Sequence, residues 1–187
     1  LLAATLLATR SPVLLVPAMN DAMWAHPQTQ QNAAHLRSVG YTVLEPDSGP
    51  LAAGEGSGPG RMPEPETIAA HAGRLLDDGS LRGRTIVVTA GPTREPLDPV
   101  RFLSNRSTGK MGVALAAAAW RRGADVVLIA GPLDVPAPVG PRVVRVETTE
   151  EMATAVSAAL PSAHALIMAA APADFRAAHP APAKIKK

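Results

Sequence analysis

The sequence contains no cysteine among its 187 residues, so it forms no disulfide bond and offers no thiolate to a metal ion. Aromatic residues make up only 3% of the chain, and no apolar run reaches the ~20 residues of a membrane-spanning helix. The net charge of +2 is too small to indicate nucleic-acid binding by itself. We therefore expect a globular chain of one or two domains, with neither a nucleic-acid nor a membrane partner.

The apolar start of the chain, Leu1–Leu7, does not have the form of a signal peptide. No basic segment precedes it, and Arg10 separates it from the next apolar run, Val13–Val16. The pattern predicts a core helix followed by a buried strand, and a cytoplasmic location. The chain lacks an initiator Met and stops on Lys184–Lys187 without a finished domain, so we expect both ends to be cut.

Short β-branched runs alternate with helical patterns along the chain, which predicts βαβ units, a parallel sheet and an α/β fold. The predicted strands are Val13–Val16, Thr42–Leu44, Thr85–Thr89, Val126–Ala130, Val143–Val146 and Ala165–Ala170. The predicted helices are Asn20–Val39 with a break at Pro27 and a stop at Gly40, then Glu66–Leu76, Gly109–Arg122 and Thr149–Leu160, the last with Thr148 or Thr149 as N-cap.

Two segments rich in glycine and proline divide this pattern. Pro46–Pro65 is predicted to be a long mobile loop, because its residues are typical of turns. Gly79–Gly83 marks the predicted boundary between domains, since a fresh strand pattern begins after it. The predicted domains are residues 1–80 and 81–187.

Three predicted strands end in small residues followed by Asn, Arg or Asp. These ends are Pro17–Asn20, Ala90–Arg94 and Ala171–Asp174. Ligands of open parallel sheets bind beyond the carboxyl ends of the strands. The pattern therefore favours ligand binding there over a purely structural role.

Ser104–Lys110 opens the Ala-rich helix with hydroxyls, small residues and a cation, which is typical of a phosphate site at a helix N-terminus. An ordinary helix cap by Ser107 or Thr108 is the alternative. The segment is not a Walker A loop, because Ser104 occupies the first Gly position and Met111 follows the lysine.

Other features favour plainer interpretations. Gly54–Gly60 leaves no strand and opens no helix, so a mobile flap is favoured over a dinucleotide fingerprint. The five histidines show no paired spacing, and no metal site is predicted from them. A basic cluster of Lys184, Lys186 and Lys187 closes the chain; it fits a solvated face or a triphosphate contact equally well.

Four motifs together resemble one family. Pro17–Trp24 is similar to the P-x-M-N-x-x-M-W motif of flavin-dependent cysteine decarboxylases. Ala90–Gly112 resembles the long signature of phosphopantothenate–cysteine ligases, and Ala173–Arg176 followed by Lys184–Lys187 resembles their A-D-Y/F-R and K-x-K-K segments. The resemblance, which covers essentially the whole chain, is to the bifunctional coenzyme A biosynthesis flavoproteins that carry both enzymes.

The resemblance implies a ligase that joins 4′-phosphopantothenate to cysteine with CTP and Mg²⁺, through an acyl-cytidylate. It implies that Asn105 acts on the acyl-cytidylate step and that Lys184 neutralises the leaving pyrophosphate. Substrate binding would fall to Arg101, Ala170, Ser107, Gly109 and Lys110, and CTP binding to Asp174, Lys184 and Lys186.

The resemblance also implies a decarboxylase that uses FMN to oxidise the cysteinyl thiol of its substrate before CO₂ is lost. Asn20 would hold the substrate carboxylate, and Met19 and Met23 would lie near the flavin. Gly54–Met62 would be the flap over the substrate. Many relatives carry a proton-donating cysteine in this flap, and Ala53 stands at that position here. Either the final reduction uses another proton donor, or the decarboxylase half is impaired.

The fold implied is Rossmann-like, with three-layer parallel sheets: the C-terminal part of a flavodoxin-like flavoprotein domain joined to the N-terminal part of a Rossmann-like ligase domain. The intact protein is expected to be a homo-oligomer, and this piece alone is expected to be inactive.

Two alternative functions remain. A nicotinamide-dependent oxidoreductase would require G-x-G-x-x-G at a strand exit. The sequence has Gly91–Pro92–Thr93 there instead, which disfavours this alternative. A non-catalytic partner on a decayed fold is the other.

Overall fold

A computed structural model describes residues 1–186. The chain divides into two compact units, of which the first is Leu1–Leu76 and the second begins at Asp77. Each unit has its own strands and helices and is described by itself.

The first unit consists of helices around two small pairs of strands. Its helices are α1 (Leu2–Ala8), α2 (Asp21–Ala25), α3 (Pro27–Ser38) and α4 (Pro65–Leu76). Its strands are β1 (Leu14–Leu15), β2 (Thr42–Val43), β3 (Asp47–Pro50) and β4 (Ser57–Arg61). β1 pairs with β2 in parallel and β3 with β4 antiparallel.

The predicted boundaries of α3 are confirmed by its caps. Pro27 is the first helical residue, and the ring Nδ1 of His26 accepts a hydrogen bond from the backbone N–H of Gln28 at 3.1 Å. Pro suits this position because its missing N–H would have no partner inside the helix. Beyond the end of the helix, Gly40 has φ of +95°, a left-handed conformation that costs glycine little.

Two expectations for the first unit are wrong. The predicted core helix, α1, has no buried residue, and Leu2 and Leu7 are 75% and 86% exposed. The segment Pro46–Pro65, predicted to be a loop, contains the β3–β4 hairpin. Its Gly, Pro and Ser residues lack the branched and aromatic side chains by which strands are recognised, and its ladder is made by backbone groups.

The second unit has a four-stranded sheet in which every pairing is parallel. Its strands are β5 (Thr85–Ala90), β8 (Asp125–Ala130), β9 (Arg142–Arg145) and β10 (Ala165–Met168), in the spatial order β10-β5-β8-β9. Between them lie a hairpin of β6 (Arg94–Pro96) and β7 (Phe102–Ser104), and the helices α5 (Lys110–Arg121) and α6 (Thr149–Ala159), the latter followed by a 3₁₀ turn at Leu160–Ser162. The predicted α/β fold with a parallel sheet is confirmed.

Side chains of alternating strand residues pack on opposite faces of this sheet. Val88 and Leu128 belong to a core with the alanines of α5, whereas Val87 and Ile129 pack with Met152 of α6. These four strand residues are fully buried, and each stabilises the fold by about 1.5–3 kcal/mol relative to exposure. The sheet is therefore the middle of three layers, with its strand ends available for a site.

Thr89 is the buried polar residue that holds the end of β10 against β5. Its Oγ1 accepts hydrogen bonds from the backbone N–H groups of Ala169 and Ala170, both at 3.1 Å, and its side chain is fully buried. We expect Thr89→Val to lower the free energy of unfolding of this unit by about 1–3 kcal/mol, because two amides lose their acceptor while the volume hardly changes.

The measurement is urea unfolding followed by Trp120 fluorescence in a Trp24→Phe background, since the chain has two tryptophans. Thr89→Ser is the matched control, because it keeps the hydroxyl and loses only a methyl group. Equal losses in the Val and Ser variants would show that the hydroxyl does not hold this strand end.

Candidate functional site

The candidate site of the second unit begins where β5 and β10 end. Beyond the sheet the two exits continue side by side: the backbone N–H of Ala171 donates to the carbonyl oxygen of Gly91 at 2.8 Å, and Pro92 forms a parallel bridge with Ala171. Parallel strands present their carboxyl ends at one edge of a sheet, so the polar residues of both exits are brought together there.

Glycines allow the backbones at this edge to pack without intervening side chains. A Cβ on Gly131, which follows β8, would lie 1.8 Å from the carbonyl oxygen of Pro92. A Cβ on Gly109, at the start of α5, would lie 2.3 Å from a methyl carbon of Leu133. The first turn of α5 is therefore seated directly against the exits of β5 and β8.

Helix α5 begins without a close side-chain cap. Gly109 is the N-cap, with φ of +74°, and no side chain caps it. The Ser107 and Thr108 hydroxyls accept long hydrogen bonds, at 3.4 and 3.5 Å, from the backbone N–H groups of Gly109 and Lys110, so neither hydroxyl forms a close cap. Lys110 is exposed at this turn, which suits an anion.

Asn105 connects the loop before α5 to the exit of β10. Its amide Nδ2 donates to the carbonyl oxygen of Pro172 at 2.8 Å and to that of Ala171 at 3.4 Å. With its NH₂ group used in this way, its Oδ1 is the atom that can accept from a ligand.

Thr93 provides a second connection between the same segments. The Ser104 hydroxyl donates to the carbonyl oxygen of Thr93 at 2.7 Å, and Thr93 Oγ1 accepts from the backbone N–H of Ala173 at 2.8 Å. Thr93 is fully buried. Asn105 and Ala170 therefore lie at one edge with a rigid backing, whereas Asp174 is exposed further along the β10 exit.

Glu95 fixes α6 to the β6–β7 hairpin. Its Oε1 accepts from the backbone N–H and the hydroxyl of Thr149, at 2.8 and 2.9 Å, beside the capping box that Thr148 forms with Glu151. The predicted N-cap at Thr148 or Thr149 is thus confirmed at Thr148. Burial raises the pKa of Glu95, but the hydrogen bonds from Thr149 and Thr93 and the charge of Arg176 outweigh it, so the pKa lies below its usual range.

Acid should weaken the second unit through Glu95. A carboxyl whose pKa is depressed by folding stabilises the fold above its unfolded pKa of about 4.3, and this stabilisation is lost as the pH falls below that value. We expect the urea midpoint of the wild type to fall more steeply between about pH 6 and about pH 3 than that of Glu95→Gln. Asp125→Asn, at an exposed residue, should keep the wild-type slope. A wild-type slope in Glu95→Gln would contradict the assignment.

Asp98, in the turn between β6 and β7, holds Arg101. It is 4% exposed, and it accepts from the backbone N–H groups of Val100 and Arg101 at 2.8 Å and from Arg101 Nε at 2.9 Å. The hydrogen bond from the Arg101 guanidinium and those from backbone N–H groups hold the pKa of Asp98 well below its usual range, against the effect of burial.

The C-terminal segment lies on this turn. The backbone N–H of Ile185 donates to Asp98 Oδ2 at 3.1 Å, and Arg101 Nη2 donates to the carbonyl oxygen of Ile185 at 3.0 Å. Lys184 and Lys186, on either side of Ile185, are exposed. The structure thus brings Arg101 beside the predicted CTP-binding lysines. Lys187, also in the predicted basic cluster, lies outside the described residues.

The candidate site of the first unit is built on the exit of β1. Asn20 is the N-cap of α2, and its Oδ1 accepts from the backbone N–H of Ala22 at 2.9 Å. The backbone N–H of Met19 donates to the carbonyl oxygen of Gly60 in β4 at 2.9 Å, and a Cβ on Gly60 would lie 2.1 Å from the Met19 carbonyl oxygen. The β3–β4 hairpin therefore rests on the predicted motif.

An apolar cavity of about 300 Å³ adjoins this motif. Met19 and Trp24 line it together with Leu15 and Leu36, whereas Met23 is 59% exposed. Ala53 is exposed between the two strands of the hairpin. Walls of this kind suit the apolar part of a ligand.

Within residues 1–186, no three His, Asp or Glu side chains converge on a point where a metal ion could be held. Across the same residues, no helix has the length and apolar character needed to cross a bilayer.

Comparison with known families places both units. Residues 81–187 match the family described as "DNA/pantothenate metabolism flavoprotein C-terminal domain", and residues 1–76 match the family described as "Flavoprotein". The chain belongs to the DNA/pantothenate metabolism flavoprotein family. The resemblance that the four motifs carry is thereby confirmed.

Similar proteins of this family are named "Coenzyme A biosynthesis bifunctional protein CoaBC". The one from Mycobacterium tuberculosis (strain ATCC 25618 / H37Rv) is 53% identical over 193 residues, covering 100% of this chain and 46% of that protein. The one from Escherichia coli (strain K12) is 50% identical over 185 residues, covering 97% and 45%. The chain spans about half the length of the curated relatives it matches.

A solved structure, titled "Crystal structure of the C-terminal Domain of Coenzyme A biosynthesis bifunctional protein CoaBC", is also similar. It is 42% identical with a TM-score of 0.52, over 55% of this chain and 52% of that one.

Sequence reasoning missed three buried residues that organise this family's motif here: Thr93, Glu95 and Asp98. All three lie inside the segment that carried the resemblance. For the two acidic residues, the sequence did contain a signal that could have found them. Acidic residues within a segment that also contains Arg94 and Arg101 indicate ion pairs, although the sequence does not say which pairs form.

Proposed function

We propose that, at the full length of its relatives, this protein catalyses two steps of coenzyme A biosynthesis. The first joins 4′-phosphopantothenate to cysteine with CTP and Mg²⁺, and the second decarboxylates the product with FMN. The observation that carries the proposal is the edge of the second unit's sheet. There the start of α5, Asn105 and the β10 exit lie together, and the relatives named CoaBC match the chain from end to end.

The proposed ligase reaction has two balanced steps. A carboxylate oxygen of 4′-phosphopantothenate attacks the α-phosphorus of CTP; a P–O bond forms, and the bond to pyrophosphate breaks. The amine of cysteine then attacks the acyl carbon, a C–N bond forms, CMP leaves with the electrons of the C–O bond, and the amine nitrogen releases a proton to solvent. Each step places several negative charges close together, so the protein must supply positive charge and N–H donors.

The second unit contains groups suited to these steps. The N-terminus of α5, with Ser107, Gly109 and exposed Lys110, suits a phosphate. Arg101 uses Nε and Nη2 on Asp98 and Ile185, and Nη1 carries two further N–H donors for an anion. Lys184 would face the triphosphate, and Asp174 the cytidine. Mg²⁺ would be held mainly by the phosphates, as is usual at nucleotide sites.

Asn105 is suited to the second step. Because its NH₂ group donates to Ala171 and Pro172, its Oδ1 can accept from the attacking amine and orient it. We expect Asn105→Asp to release pyrophosphate but to accumulate the acyl-cytidylate. The carboxylate would face two carbonyl oxygens that now receive donors, and the loop would move away from them. Trapped intermediate is measured by mass spectrometry after acid quench.

The control for this variant is the wild type quenched at the same times, in which intermediate should not accumulate. An Asn105→Asp enzyme with normal product formation would contradict the role of Asn105.

The residues of the first unit fit an apolar cofactor ring. Met19, Trp24 and Leu15 form apolar walls at the predicted motif, and bound FMN would supply two-electron oxidation chemistry there. The β3–β4 hairpin would keep water away. With its Oδ1 used to cap α2, Asn20 has its NH₂ group to donate to a substrate carboxylate.

The test of the proposed function is pyrophosphate release by the full-length protein with 4′-phosphopantothenate, Mg²⁺ and cysteine, comparing CTP with ATP. Release that requires both CTP and 4′-phosphopantothenate supports the ligase. No release with CTP would make the non-catalytic interpretation the leading one. Release of CO₂ from 4′-phosphopantothenoylcysteine tests the second step separately, and with it whether Ala53 is compatible with that reaction.

A further inference from the structure

The Asp98 carboxylate is the meeting point of two segments that are far apart in sequence. Its Oδ1 accepts from the backbone N–H groups of Val100 and Arg101, and its Oδ2 accepts from the Arg101 side chain and from the backbone N–H of Ile185. The Arg101 side chain is 49% exposed, whereas that of Asp98 is fully buried. The carboxylate therefore lies under Arg101 and is kept from solvent.

Asp98 and Arg101 together bind both backbone groups of Ile185. Asp98 accepts from its N–H, and Arg101 donates to its carbonyl oxygen. A slip of the segment by one residue would break both bonds and move Lys184 and Lys186 away from their present positions. A third bond, from the N–H of Ala181 to the carbonyl oxygen of Leu97, holds the segment upstream. The pair therefore sets the register of the lysines.

We propose that Asp98 is a positioning residue that couples the 4′-phosphopantothenate side of the site to its CTP side. It does so by fixing Arg101 and the Lys184–Lys186 segment relative to one another. This inference rests on the proposed ligase function. It gives Asp98 no contact with substrate; its effect passes through residues that the function places at the two substrates.

The chemistry of the contact requires a carboxylate. Five N–H groups point at Asp98: the backbone N–H groups of Val100, Arg101 and Ile185, and the Nε and Nη2 groups of the Arg101 side chain. A carboxylate offers these donors two acceptor oxygens, whereas an asparagine has one acceptor oxygen and an NH₂ group that would face donors. Asp98→Asn should therefore release either Arg101 or Ile185, and both substrates should sense it.

The experiment measures the Kd of CTP and the Kd of 4′-phosphopantothenate by titration calorimetry on the full-length protein. We expect Asp98→Asn to raise each Kd about tenfold, the effect of one lost hydrogen bond to a charged group. In a Lys184→Gln/Lys186→Gln background, the same substitution should change the CTP Kd by less than about twofold, because its effect passes through these lysines. Asp125→Asn, at an exposed carboxylate at the other end of the sheet, should leave both constants unchanged.

A second readout needs no substrate. Trypsin should cut after Lys186 about tenfold faster in Asp98→Asn than in the wild type or Asp125→Asn, if the lost bond releases the segment. Ile185→Pro removes the same N–H without changing Asp98, and it should expose Lys186 equally. This variant keeps the test valid if Asp98→Asn does not fold.

The outcomes separate the two proposals. A wild type that binds neither substrate refutes the ligase function, and the trypsin rates then decide alone whether Asp98 holds the segment. Unchanged trypsin rates in both Asp98→Asn and Ile185→Pro would overturn the inference. So would a rise in CTP Kd that is as large in the double-lysine background as in the wild type, since that rise would come from general disruption.

Discussion

Replacing Lys184 with Gln is expected to lower CTP-dependent pyrophosphate release by the full-length protein about a hundredfold or more, the usual effect of removing a positioned charge-stabilising group. The backbone next to Lys184 is held beside Arg101 by the bonds of Asp98 and Arg101 to Ile185. Negative charge grows on the leaving pyrophosphate, and kcat should therefore fall by a larger factor than KM for CTP rises.

Arg121→Gln is the matched control for this loss of one positive charge. Arg121 is exposed in the last turn of α5, at the end opposite Gly109, and its loss should leave the rate unchanged. Steady-state rates over a series of CTP concentrations give both constants. A Lys184→Gln enzyme with the wild-type kcat, or an equal loss in Arg121→Gln, would remove Lys184 from the proposed chemistry.

The second large effect is on stability. Gly131→Ala should lower the free energy of unfolding of the second unit by about 3 kcal/mol or more, because overpacking of this kind cannot be relieved by a side-chain rotation. The new Cβ would lie 1.8 Å from the carbonyl oxygen of Pro92 and 3.0 Å from its carbon. Either the β5 exit or the β8 exit must move. The backbone segments that Asn105 contacts would move as well.

Urea unfolding followed by Trp120 fluorescence measures this loss. Gly83→Ala is the matched control: Gly83 has φ of +73°, but nothing lies within 4 Å of a Cβ built there. It should cost only about 1 kcal/mol, through backbone strain alone. If Gly131→Ala lowers the free energy of unfolding by no more than Gly83→Ala does, the strand exits can move apart at little energetic cost.

Much of the second unit could be predicted from the sequence because its signals are local. Val126–Ala130 is a run of apolar, partly β-branched residues between turns, and it lies within β8. The Ala-rich helix ends at Gly123 as expected, with φ of +99° there. The hairpin of β6 and β7 was not predicted, because its strands of three residues contain Arg94, Pro96 and Ser104, which carry no strand pattern.

The sequence predicts the location of the candidate site better than it predicts the contacts within the site. Small residues followed by Asn, Arg or Asp at strand exits mark the edge of a parallel sheet, and this argument singles out Asn20, Arg94 and Asp174. The roles of Asn105 and Arg101 came from the family resemblance alone. The bond from Ile185 to Asp98 joins positions 87 residues apart, and no spacing rule reaches that far. The exposed face of α1 could not be predicted either, since apolar composition indicates a helix but not what covers it.

The contact of Gly60 with Met19 has a consequence for anyone who recombines this chain with a relative. The Met19 N–H and the Gly60 carbonyl are bonded, and a Cβ on Gly58 would lie 3.0 Å from the Cβ of Asp21. The two segments are some forty residues apart in the sequence, but their contacts make them one structural unit. In a chimera with a crossover between residues 21 and 58, the two contacting segments would come from different parent proteins. A crossover after Gly60 would take both segments from the same parent.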